Sequence, residues 1–127
     1  MGSLASAGWV ALGGALGSLG RWGLTGFVQA QSHAGFPWGT FAVNAIGSLL
    51  IGTLGTLAVE RMALAGDARL FLITGVLGGF TTFSAFSFET LALLRAGQWA
   101  AGAGYALGSV VFGVIAAFAG MRIAETF

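Results

Sequence analysis

The chain has 127 residues, 57% of them hydrophobic and 7% charged, with a mean hydropathy of +0.92 and a net charge of +1. A soluble domain carries roughly 25% charged residues, so this composition excludes an ordinary water-soluble fold. The small net charge offers no basic patch for nucleic acid, and the absence of cysteine removes disulfides and thiolate metal sites.

Four apolar stretches predict an all-α membrane protein, one four-helix transmembrane domain over 1–127 with spans at about 4–28, 37–59, 70–94 and 99–121. Each exceeds the ~20 residues that cross a hydrocarbon core ~30 Å thick. No Lys or Arg precedes Arg21, so the first span lacks the positive leader of a cleaved signal peptide and is expected to stay in the membrane. That, with no transit segment, points to a bacterial inner (plasma) membrane. His33 falls beside Gly35 and Pro37 and reads as a loop residue.

On the second span Thr40, Asn44 and Ser48 recur every fourth residue and share one helix face. Buried in lipid, such groups either join helices or line a path. Spacings such as Gly13 to Gly17, Ser48 to Gly52, Gly75 to Gly79 and Gly104 to Gly108 fit the small-residue seams of membrane helices.

The third span is interrupted. Gly78 to Glu89 read GGFTTFSAFSFE, and the eleven residues from Phe80 to Thr90 hold four phenylalanines and five hydroxyls. This predicts a helix broken near Gly78 to Thr82, and free backbone at membrane depth is tolerated only inside protein or along a water-filled cavity. Beyond the break Phe83 and Phe86, and Ser84 and Ser87, are each spaced i, i+3. Ring edges are weakly positive and hydroxyl hydrogens solvate anions, so the pattern suits an anion. Glu89, near the exit of this span, is expected to pair with Arg95 or Arg21.

On the fourth span Tyr105, Ser109 and Phe112 share a face. Nowhere does a Ser/His/Asp set, a carboxylate pair or a phosphate loop occur, so the chain is not expected to be an enzyme. Across the spans Arg61, Arg69 and Arg122 stand against Arg21 and Arg95, three against two. Orientation follows the Lys/Arg excess in short loops, so the chain is expected to insert both ways and to form an antiparallel homodimer.

These residues resemble the Fluc family of small fluoride channels, also called CrcB proteins. The likeness lies in GGFTTFSAFSFE (Gly78 to Glu89), GTFAVNAIGSLLIG (Gly39 to Gly52), GRWG (Gly20 to Gly23), and Tyr105 with Ser109. The resemblance implies a dual-topology antiparallel homodimer that lets fluoride leave passively and so relieves its toxicity. It implies a structural Na⁺ at the dimer centre, held by backbone carbonyls of Gly78 and Thr81. It implies a fluoride pathway through Asn44, Phe83, Phe86, Tyr105 and Ser109, with Thr40, Thr82, Ser84 and Ser87 as weaker candidates. Ala85 departs from the family pattern, which carries a hydroxyl there.

Two other readings compete. A proton-coupled exporter of the small multidrug-resistance kind has four spans and antiparallel dimers, but relies on a carboxylate in the first span, where this chain has none. A non-transporting scaffold would use the polar stripes as glue between helices.

Overall fold

The computed structural model describes residues 3–33 and 35–127. All regular structure among them is helical. Helix α1 (Leu4–Ala30) starts at Ser3, whose Oγ accepts the Ser6 N–H at 3.0 Å and so satisfies one of the free first-turn donors. Helix α2 (Trp38–Val59) follows Pro37. The third column begins earlier than expected, with α3 (Gly66–Arg69), and runs through a π-helical stretch (Leu70–Leu77) into the single turn α4 (Gly78–Phe80). After a break at Thr81 and Thr82 come α5 (Phe83–Arg95) and α6 (Trp99–Ala124).

The α5 to α6 turn is fixed by Gly97, whose φ of +78° only glycine adopts cheaply. Its N–H donates to Leu94 C=O at 3.0 Å and the Gln98 N–H donates to Leu93 C=O at 2.9 Å, the paired bonds of a Schellman ending.

Among the described residues three segments are long and apolar enough to cross a membrane: Trp38–Val59, Gly66–Arg95 taken as one column, and Trp99–Ala124. With 27 residues α1 has the length, but its glycines, serines, Gln29 and Arg21 leave it less apolar than those three. The four expected spans are thus four helical columns, three of which qualify by composition.

Helix α1 lies along the π-helical stretch and α4, while α2 lies along α6. Glycine makes both contacts possible. A Cβ at Gly75 would sit 2.8 Å from Gly13 Cα, and one at Gly17 would run into the Val76 carbonyl. Across the other seam Gly52 abuts the Ala117 carbonyl and Gly120 the Leu49 carbonyl. Three of the four expected small-residue spacings therefore have a member pressed on backbone. Gly104 and Gly108 do not, having nothing within 4 Å.

Few large side chains are enclosed; the largest fully buried ones are Tyr105 and Val43. Leu107, Val110, Val111, Val114, Ile115 and Phe118 of α6 all face outward. Such faces suit lipid or a second protein surface, since water would penalise them.

Candidate functional site

The site is organised around the break in the third column. Thr81 (φ −86°, ψ 158°) and Thr82 (φ −150°, ψ 117°) are extended, so the helix cannot continue through them. Thr82 then restarts it: its Oγ1 accepts the Ala85 N–H at 3.1 Å as an N-cap.

Asn44 on α2 holds this geometry from the side. Its Oδ1 accepts the Thr82 N–H at 2.9 Å and its Nδ2 donates to the Thr82 C=O at 3.0 Å. One amide thus engages both backbone polar groups of one residue and supplies the acceptor that the Thr82 N–H loses at the break. In an unbroken helix the Thr82 N–H would donate to Gly78 C=O and the Ala85 N–H to Thr81 C=O. Both donors are committed to side chains, so the Gly78 and Thr81 carbonyls lose their helical partners.

The neighbouring carbonyls are occupied. Leu77 C=O accepts the Thr81 N–H at 3.0 Å and its hydroxyl at 3.1 Å, and Gly79 C=O accepts Arg21 Nε at 3.0 Å. Gly47 makes room for the break, because a Cβ there would strike the Thr81 methyl.

Beyond the break three rings form a row. The Phe83 and Phe86 centroids lie 5.7 Å apart, and Phe86 and Tyr105 lie 5.2 Å apart. Tyr105 is only 1% exposed and donates its hydroxyl to Glu89 Oε1 at 3.0 Å, while Thr40 donates to Glu89 Oε2 at 2.9 Å. Glu89 therefore pairs with two hydroxyls, not with Arg95 or Arg21 as its position had led one to expect. Arg21 spends its Nε on a carbonyl. The reason is placement: Glu89 faces α2 and α6, whereas Arg21 faces the break from α1.

Asn44, Thr82, Phe83, Phe86 and Ser109 line one open cavity of about 480 Å³, which also reaches Gly78 and Thr81. Ser109 contributes a buried Oγ with no hydrogen-bond partner among the described residues. Thr40 and Tyr105 sit outside the lining, joined to the cavity through Glu89 and Phe86. Ser84 Oγ lies 3.3 Å from Thr82 Oγ1 at an exposed position, and Ser87 is exposed as well. Phe112, further along the same face of α6 as Tyr105, packs on Phe41 at 5.8 Å and is largely exposed. Among the described residues no group of three His, Cys, Asp or Glu side chains could hold a metal ion.

The model of the family described as "CrcB-like protein, Camphor Resistance (CrcB)" matches residues 8–121, all four helical columns. The chain belongs to the CrcB family. Among similar proteins, one from Thermus thermophilus is 58% identical over 114 residues, covering 90% of this chain and 89% of the relative. One from Opitutus terrae is 49% identical, covering 88% and 86%, and one from Nitrosococcus oceani is 42% identical, covering 92% and 94%. Each of the three is named "Fluoride-specific ion channel FluC". Membership of this family, with three helical segments apolar enough to span, makes the chain a multi-pass membrane protein, consistent with a bacterial inner membrane.

Two features of this CrcB site escape a reading of the sequence. The first is Glu89 as the acceptor that ties α2 to α6; its i, i+3 relation to Phe86, on the ring-bearing face, was the available signal. The second is Gly47, three residues past Asn44 and next to the stripe, whose missing side chain admits Thr81.

Proposed function

We propose that the chain is a fluoride-selective channel that lets the ion leave the cell passively across the membrane and so relieves its toxicity. The relatives named fluoride-specific channels support the choice of ion. The observation that carries the mechanism is the cavity beside the break, where the Asn44 amide, the Thr82 and Ser109 hydroxyls and the Phe83 and Phe86 rings converge.

Fluoride is small and strongly hydrated, so donors must replace its water. Hydroxyl hydrogens offer that without a fixed positive charge, which would trap the ion rather than pass it. Ring edges add a weak attraction that releases readily. Tyr105 and Thr40 take part through Glu89, which orders the far side of the ring row.

In this reading the chain works as an antiparallel homodimer with all four columns crossing the bilayer. The near-even charge balance supports dual insertion. Phe83, 78% exposed at the rim of the open cavity, supports closure by a second copy. The Gly78 and Thr81 carbonyls, released from helical bonding, fit a hard cation such as Na⁺, whose hydration shell carbonyl oxygens can replace. Bound there, the ion would satisfy carbonyl oxygens that have lost their helical donors. An exporter coupled to protons gains no support, because α1 has no acidic residue and Glu89 is engaged by two hydroxyls.

The test is fluoride release from proteoliposomes, read with a fluoride electrode. Fast electrogenic release without a proton gradient is expected, with Phe83→Ala slower than the parent. A well-folded protein that releases none would refute the channel. Release and melting unchanged after exchange of sodium for a large organic cation throughout purification would count against the Na⁺ site.

A further inference from the structure

Hydroxyls on membrane helices ordinarily donate back to the carbonyl one turn earlier. Thr53 does so to Leu49 at 3.0 Å, Thr81 to Leu77 at 3.1 Å and Thr90 to Phe86 at 2.8 Å. Ser48 makes no such bond among the described residues; it lines the same cavity as Asn44 and Ser109. Its Oγ points across the α2 to α6 seam, where a Cβ at Gly113 would lie 3.5 Å away.

The helical register gives this arrangement its meaning. Asn44 and Ser48 are one turn apart on α2, and Ser109 and Gly113 are one turn apart on α6. A free hydroxyl on α2 therefore sits beside the glycine that follows the unpartnered Ser109 on α6. Ser109 is the second, independent sign of a ligand: its Oγ is buried and makes no bond to protein among the described residues. Two uncommitted donors at one largely apolar cavity are costly in a membrane unless something accepts from them.

We propose that Ser48 is a further binding residue of the anion path, receiving a small hydrogen-bond-accepting anion together with Ser109 one helical turn beyond Asn44. Gly113 is the space that leaves the Ser48 hydroxyl open to the cavity. This rests on the fluoride reading above and adds to it a station on the α2 to α6 seam. Asn44 gives one of its two amide hydrogens to the Thr82 C=O and its Oδ1 to the Thr82 N–H, so one N–H is left for the ion and a fresh donor nearby adds to it.

Two substitutions separate this role from packing. Ser48→Ala removes the donor and little volume. Gly113→Ala keeps Ser48 and places a methyl at ordinary contact distance against its hydroxyl, covering it. Parent and both variants are purified, checked for equal elution and thermal midpoint, and reconstituted in fluoride-loaded liposomes. Release is expected to slow roughly tenfold in Ser48→Ala, the scale of one lost hydrogen bond to an ion, and to slow in Gly113→Ala as well. Parent-like release from Ser48→Ala overturns the proposal while leaving the channel in place. Should Ser48→Ala not fold, parent-like release from Gly113→Ala overturns it. A parent protein that releases no fluoride overturns the fluoride reading and this station with it.

Discussion

Glu89 shows how one side chain can hold three helices in register. It lies in α5, accepts one hydrogen bond from Thr40 of α2 and another from Tyr105 of α6, and leaves both hydroxyls satisfied in a region of low water content. A buried polar group left without its partner costs ~1–3 kcal/mol. Glu89→Ala strands two, so a marked drop in the thermal midpoint in detergent is expected. Glu89→Gln keeps one acceptor oxygen and adds an amide that a hydroxyl oxygen can accept, so it should melt close to the parent. Equal melting of the Ala and Gln variants would show that Glu89 does not bind these helices together. The sequence made Glu89 look like an ion-pair member because acids near a helix end usually meet arginine. What it hides is rotation: which of three neighbouring helices a carboxylate faces is set by packing, not by its place along the chain.

At the scale of elements, the break was visible because its causes are local. Gly78 and Gly79 weaken the helix, and Thr82 offers a cap three residues before Ala85. The π-helical turn before it was not visible. Leu70 to Leu77 reads LFLITGVL, nearly apolar on every side, so no stripe reveals an extra residue per turn. Its N–H groups reach further back, as from Gly78 to Ile73 C=O. The stretch is held by the glycines of α1, where Gly13 and Gly17 bring backbone onto backbone. Gly17→Ala is therefore expected to lower the thermal midpoint strongly, since its Cβ meets main-chain atoms that cannot swing aside. Gly104→Ala meets nothing within 4 Å in the chain and should gain helix propensity, up to ~1 kcal/mol. Circular-dichroism melts of the two variants decide the matter, and a harmless Gly17→Ala would mean that α1 is not clamped as the backbone contact requires. Identical spacing in the sequence thus carries different weight on the two helices, because a seam exists only where a partner lies.

For the whole molecule, in the four-span topology proposed above, the governing quantity is the balance of arginines, Arg61, Arg69 and Arg122 against Arg95, with Arg21 turned to the break. Orientation is decided by the Lys/Arg excess in short loops, so two added charges are enough to dominate it. The exposed positions Ala63 and Ala65, in the connection before α3, and Ala96 and Gln98, in the turn after α5, lie on opposite sides of a four-span bundle. Ala63→Lys with Ala65→Lys should commit that side to the cytoplasm; Ala96→Lys with Gln98→Lys should commit the other. If the working unit is an antiparallel pair, each variant alone is stranded in one orientation and cells producing it should fail to clear fluoride. Produced together, the two supply opposite halves, and clearance should return. A parallel pair or a single chain predicts the reverse pattern, with each variant active alone and no gain from mixing. The comparison is informative because all four substitutions lie in loops, away from Asn44, the phenylalanines and the break, so loss alone and recovery together can only come from how the copies face one another.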